Sequence, residues 1–354
     1  MLVALALALS AVGVLSVMSA SYAGDKELMG PLVEHQILWV GIGTVLMFAV
    51  AMADYRTLST YAYPLYLLTV VLLVAAAIIG HSAGGSRRWI NLGAIKLEPS
   101  ELAKIAIVLV LARHMRGEVP RGGWRLHQMI VPVLLLAIPV GLVLKQPDLG
   151  TALVLILVTA TLVFVGGINW RIATAVALVA LLAAPFGWHF LKPYQRERLV
   201  SFLNPHADPL GTGYHIIQSE IAIGAGGPWG KGLLQGTQAR LNFLPEQTTD
   251  FIFSVYAEEF GFAGSLVLLG LYSAIVARGA WVARHARDRF GSLLAAGVVA
   301  ILFWEASINI GMASGILPVV GIPLPMVSYG GSSLIAMMAG VGLLIGVSSR
   351  RHVF

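Results

Sequence analysis

Ala62-Tyr63-Pro64-Leu65-Tyr66-Leu67-Leu68-Thr69-Val70-Val71-Leu72-Leu73-Val74-Ala75-Ala76-Ala77-Ile78-Ile79-Gly80 is a run of 19 residues without one charged side chain. The hydrocarbon core of a bilayer is about 30 Å thick and a helix rises about 1.5 Å per residue, so a run of about this length crosses it. The same ruler finds nine further runs, at roughly 2–22, 33–53, 100–116, 127–145, 149–166, 171–191, 251–277, 291–313 and 326–347. All are continuous rather than alternating, which excludes transmembrane β-strands. Composition agrees. Apolar residues make up 58% of the 354 and charged residues 11%, where a soluble domain carries about 25% charged residues. The expectation is an all-α integral membrane protein: one polytopic domain over 1–354, with ten transmembrane helices. A large structured extracytoplasmic loop, 192–250, joins helices seven and eight. Soluble enzyme classes are excluded. With no Cys, so are disulfides, thiolate catalysis and Cys-based metal sites. The net charge of +6 requires no nucleic-acid partner.

Charge placement orients the chain. The even-numbered connections and the C-terminus hold Arg56, Arg113, Arg116, Arg121, Arg125, Arg171, Arg278, Arg284, Arg287, Arg289, Arg350 and Arg351, against the acids Asp54, Glu118 and Asp288. Basic residues in short loops mark the cytoplasmic side, so 192–250 faces outward. Ser21-Tyr22-Ala23 could pass for a signal-peptidase site, but no Lys or Arg precedes Lys26. A secretory signal needs a basic start, and the first run is read as a retained helix.

Outside the membrane, 213–222 has apolar residues at 214, 217, 221 and 222, the spacing of a short amphipathic helix at the interface. Glycines at 224, 226, 227, 230, 232 and 236 then mark tight turns or close backbone approach. The segments 81–99 and 314–326 read as an outer loop and a Pro-stiffened turn.

Ionisable groups in hydrocarbon cost about 2.5–3.5 kcal/mol each on the insertion scale and are functional candidates by default. Lys104 follows Glu101 at i, i+3, so the two can pair on one face. That is either a self-compensating ion pair or a cation poised for an anionic head group with Glu101 orienting it. Glu98, before Pro99, reads as a capping charge at a helix start. Asp148, in Gln146-Pro147-Asp148-Leu149-Gly150, reads as an N-cap. Glu258, Glu259 and Glu305 are weaker candidates, and Asn309 stands one turn from Glu305, within reach of a hydrogen bond to it. Asp250 closes Leu244-Pro245-Glu246-Gln247-Thr248-Thr249-Asp250 at the mouth of the eighth run. Its chemistry allows two readings. One is an N-cap; the other is a partly desolvated general base for a hydroxyl on a lipid-anchored substrate. Arg87, Arg88, Lys192, Arg196, Arg198, Lys231 and Arg240 put cations on the same outer rim, where Arg forks would suit a (pyro)phosphate head group.

At this point the chain resembles the SEDS family (shape, elongation, division and sporulation proteins). The resemblance is carried by Phe243-Leu244-Pro245-Glu246 through Asp250-Phe251-Ile252-Phe253 and by Ala257-Glu258-Glu259-Phe260-Gly261. Arg88-Trp89-Ile90 with Pro99–Lys104, Gln146–Thr151, Asp208–Ser219 and Pro323–Ser332 add to it. The Gly321–Pro325 turn and Ile221–Gly224 are closer to the elongation branch than to the division branch. One departure is Thr248, where the family often has His.

The resemblance implies peptidoglycan glycosyltransfer from lipid II on the outer face of the inner membrane. Asp250 would take the proton of the acceptor 4-hydroxyl. Arg88, Lys104 and Arg198 would meet the undecaprenyl pyrophosphate leaving group, with Glu101 orienting Lys104. Asp148 would hold a sugar hydroxyl or a metal. No cofactor is implied as certain; a divalent cation, Mg or Mn, is the alternative to basic residues at the leaving group. The implied partners are a class B penicillin-binding protein with one span, lipid II and the growing glycan strand. The rival reading is a lipid II flippase, which would need the Lys104–Glu101 region to face a cavity open to both sides.

Overall fold

The computed structural model describes residues 1–354 except 23–28, 84–85, 92–95, 121, 188, 190, 210, 212, 242 and 351–354. Ala23, Lys26, Arg121, Leu210, Arg351 and the side chain of Arg87 therefore lie outside the described residues.

Each apolar run forms a helix: α1 (Leu2–Ser21), α2 (Pro31–Met52), α3 (Tyr55–Ile79), α4 (Pro99–His114), α5 (Ile130–Lys145), α6 (Leu149–Val165) and α7 (Trp170–Gly187). Three shorter helices, α8 (Pro193–Leu203), α9 (Tyr214–Gly226) and α10 (Thr237–Arg240), precede α11 (Ile252–Arg284), α12 (Arg289–Ala313) and α13 (Gly331–Ser349). Seven helices among the described residues are long and apolar enough to cross a membrane: α1, α2, α3, α5 with its 3-10 lead-in, α11, α12 and α13. α4 and α6 are shorter, at 16 and 17 residues. The molecule is a helical integral membrane protein. Its centre is α12, where Leu294, Val298, Leu302 and Met312 are fully enclosed and which packs against α4, α6, α11 and α13.

Helix ends depart from the apolar runs wherever a cap or a turn decides them. α3 starts at Tyr55 rather than 62, because Asp54 accepts from Arg56 N at 3.0 Å and buried Tyr55 donates to Asp288 at 2.5 Å. α13 starts at Gly331 rather than 326; the apolar residues before it form a turn with Met326 at φ 62°. At the Arg-rich end, Arg289 donates to Met115 O at 2.9 Å and Gly166 O at 2.5 Å, and Arg350 to Ala51 O at 3.0 Å. These cations satisfy the last carbonyls of α4, α6 and α2, where the helix dipole favours positive charge.

The segments between the apolar runs are more ordered than an apolar ruler can show. Instead of a loop, 81–99 holds an antiparallel sheet of β1 (His81–Ala83), β2 (Ser86–Asn91) and β3 (Lys96–Leu97), in that order. β2 rests against α3 and α4, which fixes Arg88. α9 forms where a helix is expected, but it buries 216, 219, 222 and 226 rather than 214, 217 and 221. It is docked on α11. Ser219 Oγ lies 2.6 Å from Ser254 Oγ and donates to Ala313 O at 2.5 Å, so the small polar residue faces α11 and α12, and Ile221 is exposed.

α11 is broken at Gly261, with φ 66° and ψ −163°, a conformation essentially reserved for Gly. The Gly-rich segment 227–232 fills the break. Phe262 N and Ala263 N donate to Gly227 O and Pro228 O at 2.9 and 3.0 Å, and Glu258 O and Glu259 O accept from Lys231 N and Gly232 N at 3.1 and 2.9 Å. A Cβ at Gly261 would lie 2.2 Å from Gly230 N. Gly261→Ala is therefore expected to cost about 2–3 kcal/mol. It should appear as a lowered melting temperature in detergent; an unchanged melt would refute this account of the break.

Candidate active site

Asp250 lies in the last turn before α11, on the wall of an open cavity of about 910 Å³. The N-cap position of α11 belongs to Phe251 and no side chain caps it, so the capping role suggested by the position of Asp250 does not arise. Its carboxylate is left for the cavity. Burial pushes its pKa up to about 6, and Glu246 adds to the rise, against the pull of Arg88 and Arg198. The opposite wall at this point is Gly321, with φ 75°; a Cβ there would stand 3.3 Å from Asp250 Oδ2. Glycine here provides both the turn and the space beside the carboxylate.

Arg88, Glu101, Asp148 and Arg198 line the same cavity, joined by Glu98, Lys192, Tyr194, Glu197, His215 and Glu246. Arg88 is the node of one side, with Nη1 at 3.3 Å from Asp148 Oδ2 and Nε at 3.8 Å from Glu98 Oε1. Asp148 also caps α6, accepting from Thr151 N at 3.0 Å and Thr151 Oγ1 at 2.8 Å. The N-cap reading of Asp148 thus holds, and its other oxygen also faces Arg88 on the cavity wall. Glu98 occupies the N-cap of α4 but makes no side-chain cap bond; it accepts from Ser100 Oγ at 3.0 Å instead. Burial, then Glu101, pushes Glu98 up to about 7. Arg198 stands on α8 across the cavity and donates to Val319 O at 3.3 Å.

Lys104 does not line the cavity. It is buried beneath, 2.8 Å from Glu101 Oε2 and also paired with Glu305 of α12. The spacing pair is present as read. The third member is the residue that sequence spacing misses, since no periodicity links positions on different helices. Asn309 does not bond Glu305; its Nδ2 donates to Asp250 O at 2.9 Å and Ile322 O at 2.7 Å. Glu258 and Glu259 are buried anchors of the Gly-rich segment. Glu258 accepts from Lys231 Nζ at 2.7 Å and Thr237 N at 2.8 Å, and Glu259 from Ser19 and from Leu234 N at 2.8 Å. Of the remaining cations expected on the rim, Lys231 is spent on Glu258, while Arg240 stacks 6.0 Å from the Tyr22 ring. Arg196 donates to His189 O at 3.0 Å.

Among the described residues no three or more His, Asp or Glu side chains gather to cage a metal. Glu98 and Asp148 already share Arg88, and Glu101 holds Lys104. Among the described residues, these three carboxylates are thus already engaged by cations.

The same arrangement of helices and loops has known relatives. The profile of the FtsW/RodA/SpoVE cell cycle proteins matches residues 1–353. This chain belongs to that family. The peptidoglycan glycosyltransferase MrdB of Escherichia coli K12 is 46% identical over 324 residues, covering 91% of this chain and 87% of that one. Among solved structures, a chain of a peptidoglycan synthase complex that coordinates polymerization and crosslinking is 38% identical. It superposes with TM-score 0.84, covering 100% of this chain and 98% of its own. The rod shape determining protein RodA of Thermus thermophilus superposes with TM-score 0.74 at 32% identity, covering 100% and 97%. The motif blocks quoted from the sequence thus carried the family correctly. The residues they left without a role, Glu246, Gly321 and Ser328, lie within those same blocks.

Proposed function

We propose that this protein is a peptidoglycan glycosyltransferase that polymerises lipid II into glycan strands during cell elongation. The ten helices formed by its apolar runs would span the inner membrane, with the Asp250 cavity on the outer face. The observation that carries the reading is the Asp250 carboxylate, free of any cap and set in a cavity whose polar walls include the cations Arg88 and Arg198. A carboxylate with raised pKa accepts a proton from a hydroxyl more readily than an ordinary one, and buried donors aimed at a leaving group favour departure of negative charge. In the reaction, Asp250 takes the proton of the acceptor 4-hydroxyl as its oxygen bonds the donor anomeric carbon. The bond from that carbon to the pyrophosphate breaks, and undecaprenyl pyrophosphate leaves with the electron pair toward Arg198 and Lys192. Arg88, shared by two carboxylates, holds Asp148 in place for a sugar hydroxyl. Lys104 acts through Glu101 rather than on the head group. A single-span class B penicillin-binding protein would supply crosslinking, as the synthase complex suggests.

Transport of lipid II would need an opening through the Lys104 region. That region is packed, with a void of about 10 Å³ beside the buried Glu101–Lys104–Glu305 cluster. The deciding experiment gives labelled lipid II to the purified protein with its transpeptidase. Long glycan is expected; movement of lipid II between leaflets without polymer would refute the enzyme reading.

The pH profile gives a second check. The base must be unprotonated, so turnover should fall as pH drops through about 6. Glu246 raises the Asp250 pKa by like-charge repulsion, so Glu246→Gln should move the acid limb to lower pH. A limb that stays in place would remove Asp250 as the titrating group.

A further inference from the structure

The backbone around Asp250 is held to a degree that the chemistry of its side chain alone does not require. Three successive carbonyls each accept from a different donor. Thr248 O accepts from Tyr329 N at 2.8 Å, Thr249 O from Ser328 Oγ at 2.5 Å, and Asp250 O from Asn309 Nδ2 at 2.9 Å. The amide protons of Thr249, Asp250 and Phe251 all turn to Glu246 O, at 3.1, 3.1 and 3.3 Å, and Glu246 itself has φ 49°. Asn309 is fully buried and reaches two carbonyls from separate segments, Asp250 O and Ile322 O. Because both partners are acceptors, its amide nitrogen must face them, which fixes the side-chain orientation. The Ile322 carbonyl follows Gly321, the residue standing beside the carboxylate. Ser328 closes the same circuit, accepting from Leu324 N at 2.8 Å while it donates to Thr249 O.

We propose that Asn309, with Ser328, is a positioning residue: from α12 it clasps the Asp250 turn and the Gly321 turn together and so sets where the carboxylate stands in the cavity. This rests on the reading of Asp250 as the base. The clasp touches no substrate. It acts on the base through the main chain, which is how a rigid scaffold holds a reacting group within the small error that catalysis tolerates. A side chain displaced by about 1 Å can lose about 100-fold in rate. The charged groups around the carboxylate come from three elements: Glu246 from its own turn, Arg88 from β2 and Arg198 from α8. His215 of α9 lines the same cavity, its pKa lowered by burial.

The test uses the full chain with its transpeptidase, lipid II as substrate, and the variants Asn309→Leu, Ser328→Ala and Asp250→Asn. Asn309→Leu should lower kcat by about 10- to 100-fold with KM changed less than about twofold. It should also shift the acid limb of the pH profile, because the carboxylate moves relative to Glu246 and Arg88. Ser328→Ala should do the same to a smaller extent, and it keeps the test decisive if Asn309→Leu does not fold. A purely structural role would lower the active fraction in step with the folded fraction and leave the limb in place; that result, or normal kcat in both folded variants, overturns the proposal. Asp250→Asn separates the two levels. If it polymerises normally, the base reading fails. If it is inactive while the Asn309 and Ser328 variants are normal, only the clasp fails.

Discussion

Asp250→Asn protein, purified with its transpeptidase, is expected to form no measurable glycan from lipid II while keeping its wild-type melting temperature or exceeding it. General-base catalysis contributes about 10²- to 10⁴-fold, and an amide cannot accept the hydroxyl proton. Stability should not fall, because the carboxylate caps nothing and burial already disfavours its charged form. Its backbone, held through Asn309, Ser328 and Tyr329, is untouched by the change. Asp250→Glu should retain a small activity, since it keeps the base but pushes it toward Gly321. Full polymerisation by Asp250→Asn would show that the cavity acts without a base there.

Lys104→Met should produce the largest loss of stability. It leaves Glu101 and Glu305, both buried, facing one another with no cation between them. Breaking a buried pair by removing one partner costs about 3–5 kcal/mol, because the remaining charge has no compensation. A thermal melt should show a large drop, accompanied by lost activity. The double variant Lys104→Met with Glu305→Gln should recover part of the loss, since one of the two carboxylates is gone. A single variant that melts like wild type would mean that protons, rather than Lys104, neutralise this cluster.

The helices were legible because hydrocarbon imposes a simple rule on composition; where another force ends a helix, the rule fails. Asp54 and the buried Tyr55 carry α3 below its apolar run, and the turn at Met326 shortens α13 although its residues are just as apolar. In the site, Lys104 and Glu101 were readable because i, i+3 spacing on one helix fixes their contact. Glu305 was visible only as an expensive charge, since its partner lies on another helix. Spacing puts Asn309 within reach of Glu305, but buried donors go to carbonyls that irregular backbone leaves unpaired, and those belong to the Asp250 and Ile322 turns. Asp250 itself was ambiguous on residue chemistry. The family resemblance singled it out, and the structure removes the N-cap reading, because the helix begins one residue later than a cap at 250 would require.

The interruption of α11 has a bearing on biogenesis. A segment carrying Glu258, Glu259 and unpaired amides around Gly261 cannot partition into lipid as a finished rod, because hydrocarbon offers those groups nothing. Everything that completes them, Ser19 of α1 and the 227–238 stretch, is upstream in the chain. The ribosome has therefore already delivered these partners when residues 252–284 emerge, and this segment can leave the translocon directly onto a waiting protein surface.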